Sequence, residues 1–330
     1  MNTNKTIVVK AFWKAIQVEE AQSPYNVIQL KIFYPSENDA ARNPFSIAPA
    51  ATDLAPFPVV VFFNGFNCSL SVYEWLAIDL AKCGLVVVLF DWLVSRDKIT
   101  FLTPGVDLSA FSKQNYGTMP SASALPLLLA ELDNLQSDGV LSGLLDLGKI
   151  VLGGHSAGGR LALENAEPKF FERVIGAFSY GAHSASPVQL GHAPGTILPL
   201  PSSLPMLIIG GTEDGVIANN SQIYGMEQWQ TPATPVIRTF REGICSQGDS
   251  SLIIIEGANH FAIAHPTDST LTVAEADFPS TRSEPEIRSL IASIIGLFID
   301  TFVLDRSNKS QFKQSLEKHN SAIALSEFKQ

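Results

Sequence analysis

The chain has 330 residues, with 22 Lys+Arg against 32 Asp+Glu and a formal net charge of −10. Hydrophobic residues make up 46% and charged residues only 16%, which excludes an intrinsically disordered chain, because disorder needs low hydrophobicity and high net charge. The acidic balance, with no long Lys/Arg cluster, argues against nucleic acid as a partner, since a phosphate backbone is met by a basic face.

In chain order, the opening MNTNKTIVVKAFW has neither the apolar core nor the small-residue cleavage site of a signal peptide. Its alternation from Thr6 to Phe12 predicts a strand. Two strands, at about 5–13 and 26–35, are expected to pair as an antiparallel edge hairpin. Short apolar runs follow at Pro58–Phe63, Leu85–Phe90, Ile150–Gly153, Pro205–Ile209 and Leu252–Glu256. Runs of this kind, rich in β-branched residues and bounded by Gly, Pro or Asp, suit strands buried on both faces of a parallel sheet. Helical patterns lie between them at Tyr73–Cys83, Ala122–Asn134, Gly158–Asn165 and Glu284–Leu304. Strands alternating with helices predict an α/β fold with a mostly parallel, doubly wound sheet and helices on both faces.

Four stretches rich in small and polar residues, 95–120, 181–203, 215–250 and 262–283, read as long loops at the carboxyl edge of the sheet, where open α/β sheets bind ligands. The late apolar stretch Ser289–Leu304 is interrupted by Asp300 and falls short of the roughly 20 residues of a membrane span, so it reads as a buried helix. Residues 1–306 are expected to form one domain, with 307–330 a polar tail, helical or frayed. Cys68, Cys83 and Cys245 match no zinc or redox spacing. They read mostly as small buried hydrophobes in a reducing compartment, one pairing being open, and a cytoplasmic location is expected.

One motif carries chemistry. Gly154-His155-Ser156-Ala157-Gly158 fits Gly-x-Ser-x-Gly between an apolar strand run and an apolar helix run, the setting of a nucleophile elbow. An ordinary serine in a glycine-rich turn is the plain alternative. A serine hydroxyl needs a base, and in this arrangement the order along the chain is Ser, acid, His. The strand at 205–209 leads to Glu213 and Asp214, and the strand at 252–256 leads to His260. Asp214 is preferred over Glu213 because it stands one step further past the strand, in the turn with Gly215. His183 and His192 precede the acid, His265 reads as a solvated loop residue, and His155 as packing behind the turn. An acyl-transfer site also needs oxyanion donors. The backbone N–H groups of Ala157 and of Phe66, in the loop Asn64-Gly65-Phe66-Asn67, are the candidates, although Asn64-Gly65 alone could mark a hairpin turn. Candidate pocket walls are Trp92, Phe101, Tyr116 and Phe261, with the ring of Phe66.

These residues resemble the α/β-hydrolase superfamily over about residues 5–305, and within it the group of chlorophyllases, dienelactone hydrolases and bacterial cutinase-like polyester hydrolases. PFPVVVFFNGF, LAKCGLVVVLFDW, GGHSAGG and the pair LPMLIIGGTEDGV and GANHF carry the likeness. The resemblance implies a triad of Ser156, Asp214 and His260, oxyanion donation by Phe66 and Ala157, and no metal or organic cofactor. Asn64 stands where these families usually have His or Pro. Ser156 stands where dienelactone hydrolases often have Cys, which favours the esterase side. The expected activity is hydrolysis of a hydrophobic, small-molecule or lipid-like ester through an acyl-enzyme. A thioesterase or acyltransferase on the same triad, and a non-catalytic binding protein on the same fold, are the alternatives.

Overall fold

The structure, a computed structural model, describes residues 7–37, 47–201, 203–245 and 249–329. Residues 5 and 6 of the expected first strand, residue 202 and residues 246–248 of the expected loops, and Gln330 lie outside the described residues. The edge hairpin forms as expected: β1 (Val8–Gln17) and β2 (Val27–Ser36) pair antiparallel, with Val8 opposite Ser36 and Gln17 opposite Val27. The chain continues through β3 (Phe57–Phe63), α1 (Glu74–Lys82), β4 (Val86–Arg96), β5 (Ile99–Leu102), α2 (Leu125–Ser137), β6 (Leu145–His155), α3 (Ser156–Glu164), β7 (Val174–Tyr180) and β8 (Met206–Glu213). It ends with α4 (Gly215–Asn219), α5 (Thr234–Arg238), β9 (Ser250–Asn259), α6 (Glu284–Phe298), α7 (Lys309–Lys318) and β10 (Ile323–Lys329).

The strands form one mixed sheet in the order β1-β2-β4-β3-β6-β7-β8-β9-β10, with β5 folded back antiparallel on β4. From β4 through β9 every neighbouring pair is parallel, and both flanks are antiparallel. This order is typical of α/β-hydrolase-like folds.

The all-apolar strand runs have a direct cause. Successive residues of a strand point to opposite faces, and here both faces are covered. Val59, Val61 and Phe63 of β3 pack into a core with Leu125, Leu128 and Leu132 of α2 and Leu161 of α3. Val60 and Phe62 pack into a second core with Leu76 and Leu80 of α1 and Ile291 and Ile295 of α6. The same alternation divides Ile208 from Leu207 and Ile254 from Ile253.

Several local expectations are corrected. The segment Val174–Tyr180, not expected as a strand, is β7 and lies beside β6 in the sheet. The long stretch after β8 is not plain loop but holds α4, α5 and a wide π-helical turn at Thr239–Gly243. The stretch after β4 contains β5. The tail is neither frayed nor merely helical: α7, opened by a capping box at Asn308 and Gln311, leads into β10, which pairs antiparallel with β9. Of the cysteines, Cys68 is buried, whereas Cys83 and Cys245 are exposed, and all three thiols are free. No helix among the described residues is long and apolar enough to cross a membrane.

Candidate active site

β6 runs straight into α3, and the turn between them is tight. Ser156 has φ +54°, a left-handed conformation that non-glycine residues rarely adopt and that is found where surrounding structure enforces it. The flanking glycines permit the close approach. A Cβ on Gly154 would overlap the backbone of Gly158, and one on Gly158 would overlap the carbonyl oxygens of Phe63 and Asn64. The start of α3 is therefore pressed against the end of β3.

The loops after β8 and β9 bring an acid and an imidazole to the same end of the sheet. Asp214 is 1% exposed and His260 is 2% exposed. The Nδ1–H of His260 donates to Oδ2 of Asp214 at 2.8 Å, and Oδ1 of Asp214 accepts the N–H of Ile217 at 2.9 Å. A carboxylate only accepts, so this bond places the imidazole proton on Nδ1 and leaves Nε2 with a lone pair. Burial disfavours the imidazolium, but the charge and hydrogen bond of Asp214, helped by Asp277, outweigh it and hold the His260 pKa above its ordinary value. The adjacent acid Glu213 instead accepts from Thr212 at 3.4 Å.

A cavity of about 250 Å³ is lined by Ser156, Ala157 and His260. Its remaining wall includes Arg160, His183, Val216, Ile217, Ile223 and Tyr224. Ala157 lies in the first turn of α3, where backbone N–H groups lack intrahelical acceptors. Among the described residues, the N–H of Phe66, which lies outside any helix or strand, makes no backbone hydrogen bond. The Asn64–Asn67 segment forms no hairpin, since it leads through a short turn at Leu70–Tyr73 into α1.

Asn64 has a structural task in that segment. Its Nδ2 donates to the carbonyls of Cys68 and Phe90 and to Oδ1 of Asp91, tying the end of β3 to β4. Asp91 in turn accepts from the N–H of Leu70 and the hydroxyl of Ser69.

Of the other expected pocket residues, none lines this cavity. Trp92 donates its Nε1–H to the carbonyl of Tyr25, on the β2 side of β4. Phe101, on β5, stacks against Phe66 with ring centroids 4.8 Å apart, and the Phe66 ring is 51% exposed. Tyr116 donates to the carbonyl of Pro199 and lines a separate cavity with Glu164. Phe261 is buried, edge-on to His155 and His260. Aromatic residues near strand ends are numerous in this fold, and no local pattern marks which of them face Ser156.

Residues that sequence reasoning missed hold the site together. Asp277 accepts the N–H groups of Gly215, His260 and Phe261, so one carboxylate fixes the loops after β8 and β9 together. Burial raises its pKa, and that effect outweighs the pull of His260. Tyr73 is fully buried, and its hydroxyl accepts the N–H of Gly65 at 3.0 Å and donates to Nδ1 of His155 at 2.8 Å. The Nε2–H of His155 then donates to the carbonyl of His260 at 3.0 Å. Burial, with the neighbouring His260, holds the His155 pKa well below its ordinary value. A single hydrogen-bonded chain therefore links the loop after β3 to the backbone of His260.

Arg160 stands one turn after Ser156 on α3. Its Nε donates to Glu164 and its Nη1 to the carbonyl of Ala185, both at 2.8 Å, and the guanidinium lies 4.6 Å from the ring of Phe111. His183 accepts the N–H of Ala185 on Nδ1, and burial together with the charge of Arg160 pushes its pKa down to about 3. Helical i, i+4 spacing from Ser156 was the available signal for Arg160. None existed for His183, whose place in the chain argued only against its being the base.

Comparison with protein-family models gives no match, and comparison with curated proteins gives none either. Among the described residues, no cluster of three or more His, Cys, Asp or Glu could hold a metal ion.

Proposed function

We propose that the protein is a serine hydrolase of carboxylic esters. The observation that carries this is the convergence on one cavity of Ser156, held at φ +54°, and a buried His260 whose Nδ1–H is bonded to Asp214. In this reading Nε2 of His260 takes the proton of Ser156, and the serine oxygen attacks the ester carbonyl carbon. The negative charge forming on the carbonyl oxygen is met by the N–H groups of Phe66 and Ala157, each such donor being worth roughly 3 kcal/mol of barrier. Collapse of the tetrahedral species breaks the bond to the alcohol, which leaves with the proton from His260. Water, deprotonated by His260, then cleaves the acyl-serine and releases the acid.

Asp214 keeps the imidazole in the productive tautomer and stabilises its charged form. The chain from Gly65 through Tyr73 and His155 to His260 fixes the proposed oxyanion loop relative to the base. The cavity volume of about 250 Å³ favours a short acyl or alcohol half.

Hydrolysis of p-nitrophenyl esters from acetyl to palmitoyl tests the reading, with Ser156→Ala beside the wild type. Turnover of the short esters that falls by about a thousandfold or more in Ser156→Ala supports it. A wild type no faster than the variant on every ester refutes it.

A further inference from the structure

The proposed chemistry uses Ser156, Ala157, His260 and Asp214, yet the cavity wall holds three further polar side chains, Arg160, His183 and Tyr224. All three present donors. With Nδ1 of His183 accepting from Ala185, the ring proton is on Nε2, and this N–H has no partner among the described residues. The Tyr224 hydroxyl has none either, and burial raises its pKa, so it stays a neutral phenol. Nη2 of Arg160 is buried without a partner. The His183 and Tyr224 rings meet edge-on, 4.8 Å between centroids, and both residues line the cavity. Glu164, the nearby acceptor, is already engaged by Arg160 and Ser121.

Of these donors only Nη2 of Arg160 is fully buried; the His183 and Tyr224 donors face the open cavity, and a ligand that displaces water from them has to supply an acceptor in its place. The charge balance decides which acceptor. Arg160 is matched by Glu164 at 2.8 Å, and Asp214 is the other buried carboxylate beside the cavity. A carboxylate ligand would add a negative charge that Arg160, already paired with Glu164, does not meet. A neutral oxygen would satisfy the donors without disturbing that balance.

We infer that the half of the ester seated in this cavity carries a second, uncharged acceptor oxygen, such as a ketone, amide or further ester carbonyl, which receives hydrogen bonds from Tyr224 and His183. This deepens the ester-hydrolase reading and rests on it for the reaction, though not for binding. Arg160 acts here through its neighbours: burial, helped by the charge of Arg160, keeps His183 neutral and so keeps Nε2–H a plain donor.

The test uses matched short esters. Turnover by the wild type is compared for p-nitrophenyl pentanoate, levulinate (the same chain with a ketone) and hemisuccinate (a carboxylate of similar length). Binding of methyl pentanoate and methyl levulinate to Ser156→Ala is measured in parallel by NMR titration. The expected result is a kcat/KM about tenfold or more higher for levulinate than for pentanoate, hemisuccinate below levulinate, and a matching preference in binding. In Tyr224→Phe, which keeps the ring packed on His183 and Trp229, the levulinate-to-pentanoate ratio falls by about threefold or more.

Equal handling of pentanoate and levulinate overturns the inference and leaves ester hydrolysis standing. So does a ratio untouched by Tyr224→Phe, or a preference for hemisuccinate. Binding preference for methyl levulinate without turnover of any ester supports the acceptor site while removing the ester-hydrolase reading. Neither preference nor turnover overturns both.

Discussion

Asp214→Asn tests the part assigned to the acid with little change of shape. Asp214 uses both oxygens: one takes the N–H of Ile217 at 2.9 Å and the other takes the Nδ1–H of His260 at 2.8 Å. An asparagine has one oxygen and one NH2. The N–H of Ile217 can only donate, so the amide oxygen stays with it and the NH2 turns toward His260. Two donors then face each other, and the imidazole relieves this by carrying its proton on Nε2, where it can no longer accept from Ser156. The expected loss is about 10⁴-fold in kcat, the size seen for the same substitution in a serine-protease triad. A second effect follows from the electrostatics. His260 owes its raised pKa to Asp214, against burial, which lowers it. Without that charge, burial acts with less opposition, and the pKa falls. The assay is kcat/KM for p-nitrophenyl acetate from about pH 5 to 9, beside a thermal melt. A loss under about tenfold in a folded variant refutes the tautomer argument.

In the wild type, kcat/KM should fall on the acid side as His260 takes up a proton, with a midpoint above about 6.5 because its pKa is raised; an acid limb centred well below that value contradicts the Asp214 pairing. Tyr73→Phe removes the hydroxyl that serves both Gly65 and His155, so it should lower kcat more than it raises KM and destabilise the fold by about 2 kcal/mol, read by urea unfolding. Gly158→Ala places a methyl group against the carbonyls of Phe63 and Asn64, and a loss of about 3 kcal/mol or more in stability is expected. Arg160→Met strands the carboxylate of Glu164, which is 8% exposed, and should cost about 3 kcal/mol, recovered in part by a second change of Glu164 to Gln; chemical denaturation of the single and double variants checks this.

The parallel centre of the sheet was legible because its strands are buried on both faces and so read as unbroken apolar runs. β7 escaped notice for a local reason: Gly176, Ala177 and Ser179 interrupt the pattern, though the strand lies between β6 and β8. β10 was hidden by its edge position. Its sequence, IALSEFK, mixes apolar and polar residues without a regular period, and only long-range pairing with β9 distinguishes it from a polar tail.

At the site, Ser156, Asp214 and His260 stood out because local motif and strand order constrain them. The cavity wall did not, since it is assembled from α3 and from the loops after β7 and β8, whose mutual packing no local pattern encodes. The expected aromatic wall gave way to a partly polar one for that reason.

The proposed mechanism requires that Ser156 become acylated. The most direct measurement is acid-quenched intact mass and peptide mapping after brief reaction with p-nitrophenyl acetate. One acetyl group per chain is expected, on the peptide containing Ser156, and none in Ser156→Ala. No adduct under conditions of turnover, or an adduct that survives in Ser156→Ala, contradicts it.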